Sequence, residues 1–131
     1  IPDSVTEIGK YAFCGCTSLK SIVIPDGVTS IGGYAFCGWS SLESIVIPDG
    51  VTSIGEGAFY ECSSLKSIVI PDSVTSIGEG AFIYCSSLES IIVSSGNAVY
   101  DSRDNCNAII ETSTNRLIAK CRSAVLPDGI S

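Results

Sequence analysis

The sequence predicts a mostly β protein: a right-handed leucine-rich-repeat solenoid of 23-residue coils, with parallel strands on one face and one enlarged coil carrying a β-hairpin. Three observations lead there. A unit typified by residues 47–69, IPDGVTSIGEGAFYECSSLKSIV, begins at Ile1, Ile24, Ile47 and Ile70. Its apolar residues keep the same place in every copy, with Leu and Ile at L-x-x-I-x-I spacing, and a period of about 20–29 residues with that spacing marks a leucine-rich repeat. A fifth copy opens at Val93 but runs 33 residues to the next Leu-Pro-Asp start at Leu126.

The columns define the core. One coil cannot bury its apolar face alone, so neighbours stack and share one interior. Val5, Val28, Val51 and Val74 form one column, and Ile8, Ile31, Ile54 and Ile77 a second. Phe13, Phe36, Phe59 and Phe82 form a third, beside Ala12, Ala35, Ala58 and Ala81. Leu19, Leu42, Leu65 and Leu88 precede the strand, and Ile22, Ile45, Ile68 and Ile91 sit in it.

Within a unit, residues 65–70 read as a strand with Ile68 and Ile70 inward and Ser67 and Val69 outward. Pro71 ends the ladder because it has no N–H to donate, and Asp72-Ser73 makes the turn. Val74 to Ile77 is extended again. Glycine at 9, 32, 55 and 78 marks a backbone angle that other residues would resist. Ala81-Phe82 returns to the core and Cys85 sits on the convex bend. The coils therefore span 1–23, 24–46, 47–69 and 70–92 of a single domain, 1–131. The enlarged coil spans 93–125, with a hairpin at about 107–120, and residues 126–131 start the next coil. In the hairpin, Thr112 to Asn115 connect two apolar runs. Mirror pairing sets Glu111 opposite Arg116, Ile109 opposite Ile118 and Cys106 opposite Cys121.

Composition narrows the function. Lys plus Arg number 7 against 14 Asp plus Glu, a net charge of −7. That argues against nucleic acid, whose binding needs Lys and Arg to neutralise phosphates, and against an anionic membrane surface. No apolar run reaches the roughly 18 residues of a membrane helix, so no direct membrane insertion is expected. The chain opens on Ile1 in repeat phase and stops inside the next unit, as a segment of a longer array would. There is no histidine, no G-x-S-x-G elbow and no Walker loop. The reading is a non-enzyme with no cofactor and no metal.

The unit, read as IPDGVTSIGEGAFYECSSLKSIVIP, resembles the BspA-like, Treponema-type leucine-rich repeats, and GNAVYDSRDNCNAIIETSTNRLIAKC is similar to a coil common in those proteins. The likeness spans essentially the whole chain. It implies a bacterial cell-surface or secreted protein that binds other proteins, in adhesion to host matrix or to other cells. The family's binding residues follow no fixed motif, so none is carried over. Trp39 departs from the pattern, standing where Cys16, Cys62 and Cys85 stand.

Candidate sites come from the residues alone. The outward strand positions are Lys20, Glu43, Lys66 and Glu89, which alternate in sign with Arg122 following. Beside them run Ser21, Ser44, Ser67 and Ser90, then Val23, Val46, Val69, Ile92 and Val125. Opposite charges on adjacent strands would fix register. The continuous apolar stripe would mark an interaction site, although β-propensity alone also favours Val there. The hairpin either binds a partner or plugs the stack. Among the cysteines, Cys106–Cys121 is the leading disulfide candidate. Cys14 and Cys37 lie one coil apart, within disulfide reach, but they follow an inward Phe and read as pointing outward, which disfavours a bridge. Cys16, Cys62 and Cys85 read as buried small hydrophobes. The acidic column Asp3, Asp26, Asp49, Asp72 and Asp128 reads as turn capping, with calcium as its alternative.

Two other functions compete with protein binding. A carbohydrate-binding module would use Tyr11, Tyr34, Tyr60, Tyr84 and Trp39, but the tyrosines fall in different sequence columns. A purely structural spacer would need no site. The Thr6, Thr29, Thr52 and Thr75 ladder suits an ice-binding face less well, because other columns interrupt it. Unpaired coil ends would favour end-to-end self-association.

Overall fold

The computed structural model describes residues 1–131. Its strands are short: β1 (Glu7–Ile8), β2 (Ser30–Ile31), β3 (Ser53–Ile54), β4 (Ser67–Ile70), β5 (Ser76–Ile77), β6 (Ser90–Val93), β7 (Tyr100–Asp101), β8 (Ala108–Glu111) and β9 (Arg116–Lys120). β1, β2, β3 and β5 form a parallel sheet in that order, β4 and β6 a parallel pair, and β7, β8 and β9 an antiparallel sheet. In the four-stranded sheet Ile8 faces Ile31, Ile31 faces Ile54 and Ile54 faces Ile77. Stacking in that register puts like residue on like residue, so each apolar column becomes a continuous buried ridge.

The interior follows. Val28, Val51 and Val74, Phe36 and Phe59, and Leu42 and Leu65 are fully buried. The phenylalanine rings stack face to face along the array, with centroids 5.4–5.7 Å apart. Each such side chain contributes roughly 1.5–3 kcal/mol of apolar transfer. The first coil is covered on one side only, so Phe13 is half-buried and Leu19 is 49% exposed.

The glycine column 9, 32, 55 and 78 does not take the left-handed angle expected of it; instead Gly32, Gly55 and Gly78 let adjacent backbones touch. A Cβ on Gly55 would lie 2.5 Å from the Gly33 nitrogen and 2.7 Å from the Gly32 carbonyl carbon. On the opposite bend, two positions per coil take a left-handed backbone. The first is held by Tyr11, Tyr34, Gly57 and Gly80, and the second by Gly15, Gly38, Glu61 and Tyr84. Glycine therefore occupies one or other of these positions in every coil. Between them, the bend N–H groups donate to the carbonyls of the following coil. Tyr11, Phe13 and Gly15 donate to Gly33, Ala35 and Cys37 at 2.8–2.9 Å, and the next two coils repeat the pattern.

The Cys16–Trp39–Cys62–Cys85 column carries donors as well as bulk. The Cys62 thiol donates to the Phe36 carbonyl at 3.2 Å and the Cys85 thiol to the Phe59 carbonyl at 3.1 Å. Trp39 fits the same slot because its indole N–H donates to the Phe13 carbonyl. Trp39 is fully buried and packs edge-on against Phe36.

The disulfide expectation is corrected. Cys14 and Cys37 are bridged, with Cα atoms 4.6 Å apart, while Cys106 and Cys121 are free and buried. The cause is a register shift between Ile109 and Ile110. Glu111 does face Arg116, but Ile109 faces Ala119 and the Cys121 N–H meets the Asn107 carbonyl. Cys121 consequently joins the main core, whereas Cys106 packs in a separate cluster with Ala108 and Ile110.

Candidate functional site

The strand face presents its outward residues as the two-residue period requires. Val23, Val46, Val69, Ile92 and Val125 are 80%, 79%, 51%, 52% and 79% exposed. Lys20, Ser21, Glu43, Ser44, Lys66, Ser67 and Glu89 are also exposed, and Ser90 is half-buried. The face is thus an apolar stripe flanked by a serine row and a row of alternating charge. The charges do not form the expected register-fixing ladder, because the one ion pair in the molecule is Arg103–Asp101. Side chains this exposed are hydrated, and an exposed pair gains little by closing up.

The tyrosines are brought together against expectation. Tyr11 stacks on Tyr34 at 5.3 Å, Tyr34 meets Tyr60 edge-on at 6.0 Å, and Tyr60 meets Tyr84 edge-on at 5.5 Å. The sequence hides this strip because its members sit at different places in the unit. Gly57 joins the halves: a side chain there would collide with the Tyr34 ring. The Glu56 charge, and then burial, push the Tyr34 hydroxyl above its ordinary pKa, and burial followed by Glu61 does so for Tyr60.

The enlarged coil closes the ladders with side chains. Asn97 takes the next place in the valine column. Its amide donates to the Pro71 and Val74 carbonyls, each at 2.9 Å, and accepts from the N–H groups of Val99 and Tyr100. Tyr100 follows in the isoleucine column, and its hydroxyl accepts the Ile77 N–H at 3.0 Å. The Ser102 hydroxyl accepts from Val93 N–H and donates to the Ala108 carbonyl. Arg103 clasps both oxygens of Asp101 at 2.7 Å, and Thr112 donates to the same carboxylate. Hydrogen bonds from Arg103 hold the Asp101 pKa down at about 2. The antiparallel β7–β8–β9 sheet is therefore joined to β5 through Tyr100 and to β6 through Ser102. No group of three or more Cys, Asp or Glu is gathered as metal ligands, and Asp3, Asp26, Asp49, Asp72 and Asp128 are exposed.

Comparison with known proteins now assigns the chain. Residues 1–109 match the description of a BspA type leucine-rich repeat region in six copies. The chain belongs to the BspA-type leucine-rich-repeat family. Three solved structures of leucine-rich-repeat proteins are similar to it. A leucine-rich cell surface protein from Faecalibacterium prausnitzii is 37% identical over 98% of the chain, with a TM-score of 0.85. A protein from Bacteroides ovatus is 45% identical over 70%, with a TM-score of 0.65. One from T. pallidum is 34% identical over 66%, with a TM-score of 0.57. The chain spans 35%, 24% and 51% of their respective lengths. No curated protein matches the chain. This BspA-type chain contains no helix long and apolar enough to cross a membrane.

Proposed function

We propose that this chain is a non-enzymatic protein-binding module of a bacterial cell-surface or secreted protein, serving adhesion to host matrix or to other cells through its strand face. The scaffold in this reading is a right-handed solenoid of 23-residue coils ending in the enlarged coil. The observation that carries the reading is the exposed stripe Val23, Val46, Val69, Ile92 and Val125. A contiguous apolar surface of this kind marks interaction sites on proteins that otherwise keep such side chains inside. Lys20, Glu43, Lys66 and Glu89, with Ser21, Ser44, Ser67 and Ser90, form its polar rim, as binding patches require. The relative named as a cell surface protein supports the location.

The test is binding of the purified chain to immobilised extracellular-matrix proteins, with the Val46→Glu/Val69→Glu variant alongside. Binding by the parent and at least a tenfold loss in an equally stable variant is the expected result. Equal affinities would remove the strand face from the function. A second reading, a carbohydrate-binding module, draws on the tyrosine strip, whose four rings lie within 6.0 Å of their neighbours. Glycan-array binding lost in Tyr60→Ala would favour it. Failure of both experiments would leave a structural spacer.

A further inference from the structure

In the bends, alternate peptide units point their C=O at the preceding coil and their N–H at the following one, so these units line up in rows along the array. One row runs from the Tyr11 N–H to the Gly33 carbonyl (2.9 Å), from Tyr34 to Glu56 (2.8 Å) and from Gly57 to Glu79 (3.1 Å). Parallel rows pass through Phe13, Phe36 and Phe59, and through Gly15, Gly38 and Glu61. All three rows stop at the N–H groups of Gly80, Phe82 and Tyr84, which have no acceptor in the protein. The chain that would bring the next carbonyls has left the repeat to build the enlarged coil.

A cleft of about 430 Å³ lies over these three donors, between the bend and Ile118, Lys120 and Arg122. It continues beside Arg116 and Leu117. Two further facts set its preference. Peptide dipoles aligned head to tail leave a positive pole at their N–H end, as at the start of a helix, whereas strand ladders alternate and add little. Arg116, Lys120 and Arg122 line the cleft and its extension, three of the seven cations of a chain whose net charge is −7. Glu79 is the single acid along the same wall. Ile83, 47% exposed, supplies apolar surface.

We propose that this cleft binds an acidic peptide segment of a partner, which presents backbone carbonyls at alternate residues to Gly80, Phe82 and Tyr84 and carboxylates to Lys120 and Arg122. The segment would occupy the place that the next coil's bend occupies elsewhere in the array, so the site adds main-chain recognition to a surface that meets the charge row of the strand face only at Arg122.

Amide hydrogen exchange read by NMR tests this. In the free protein, Gly80, Phe82 and Tyr84 should exchange at least tenfold faster than Gly57, Phe59 and Glu61. A blocked hexapeptide alternating glutamate and threonine should slow the three at least tenfold, and its lysine-for-glutamate counterpart should not. Lys120→Glu/Arg122→Glu should weaken the glutamate peptide at least tenfold, and Val46→Glu/Val69→Glu should leave it unchanged, which separates this site from the strand-face reading. Unchanged exchange at millimolar glutamate peptide would overturn the proposal. So would protection that rises with protein concentration alone, because a second copy would then fill the cleft.

Discussion

The regular coils and the enlarged coil solve the same problem by different means. In the regular coils, backbone satisfies backbone: bend N–H groups meet carbonyls one coil on, and extended segments pair in one register. Side chains there keep their column and add donors that repeat with it, such as the Cys62 and Cys85 thiols. In the enlarged coil the columns go on, but Asn97 stands after Val74 and Tyr100 after Ile77, and each replaces lost main-chain partners with side-chain atoms. A periodic region stores its stability in position, and an aperiodic one stores it in particular functional groups. Substitution should therefore act differently in the two.

The sharpest test lies in the glycine column. Gly55→Ala should lower unfolding free energy by about 3 kcal/mol, because the new methyl group would press on the Gly32–Gly33 backbone, which is held in the stack. Gly9→Ala has the same place in its coil but no atom within 4 Å, and should cost no more than about 0.5 kcal/mol. Urea melts of both decide it, and equal effects would mean that the column acts through conformation and not contact. Next is Asn97→Val, which restores the column residue. If position ruled here too, the change would be neutral. We expect a loss of about 2–3 kcal/mol, because the Pro71 and Val74 carbonyls and two N–H groups lose their partner.

Tyr100→Phe should cost about 1 kcal/mol by leaving the Ile77 N–H without its acceptor, and faster exchange of that amide would confirm the cause. The smallest effects are in pH. Burial raises Cys62 to about 11 and Cys85 to about 12. The folded state thus favours the protonated thiols. Their contribution is whole below the unfolded value of about 8.5 and is lost as pH rises through their folded values. Asp101 is shifted the other way, to about 2. Its contribution is present above about 3.9 and lost as pH falls toward 2. Urea midpoints against pH should show an alkaline limb that Cys62→Ala reduces and an acid limb that Asp101→Asn removes. The first would report on the regular coils and the second on the enlarged one.

The same division decides what could be read from sequence. The columns, the inward and outward faces and the exposed valine stripe were legible because a fixed period makes each position answer to one environment. The hairpin was legible as a pair of apolar runs around a turn, but its pairing was not. The shift between Ile109 and Ile110 leaves no compositional trace, and it moved Cys106 and Cys121 into different clusters. The closeness of Cys14 and Cys37 was visible in the repeat, but their bridge was not, because an outward direction after an inward Phe argues against it; the tyrosine strip was not visible at all. Tyr34 reaches Tyr60 only by lying over Gly57, a relation between unlike positions that a column-by-column reading separates. The part played by Asn97 was hidden because its partners lie 23 and 26 residues away.

The thiol column bears on how the chain keeps its oxidation pattern. One cysteine pair is joined, yet five thiols remain in the same small molecule. Thiol–disulfide exchange proceeds through the thiolate, so its rate depends on the ionised fraction and on access to sulfur. Cys62 and Cys85 are buried, donate hydrogen bonds to phenylalanine carbonyls and ionise only in strong alkali. The hydrogen bonds that help hold adjacent coils also make these sulfurs poor nucleophiles. These two thiols can then stay reduced beside the Cys14–Cys37 pair without attacking it, held back kinetically by the fold itself.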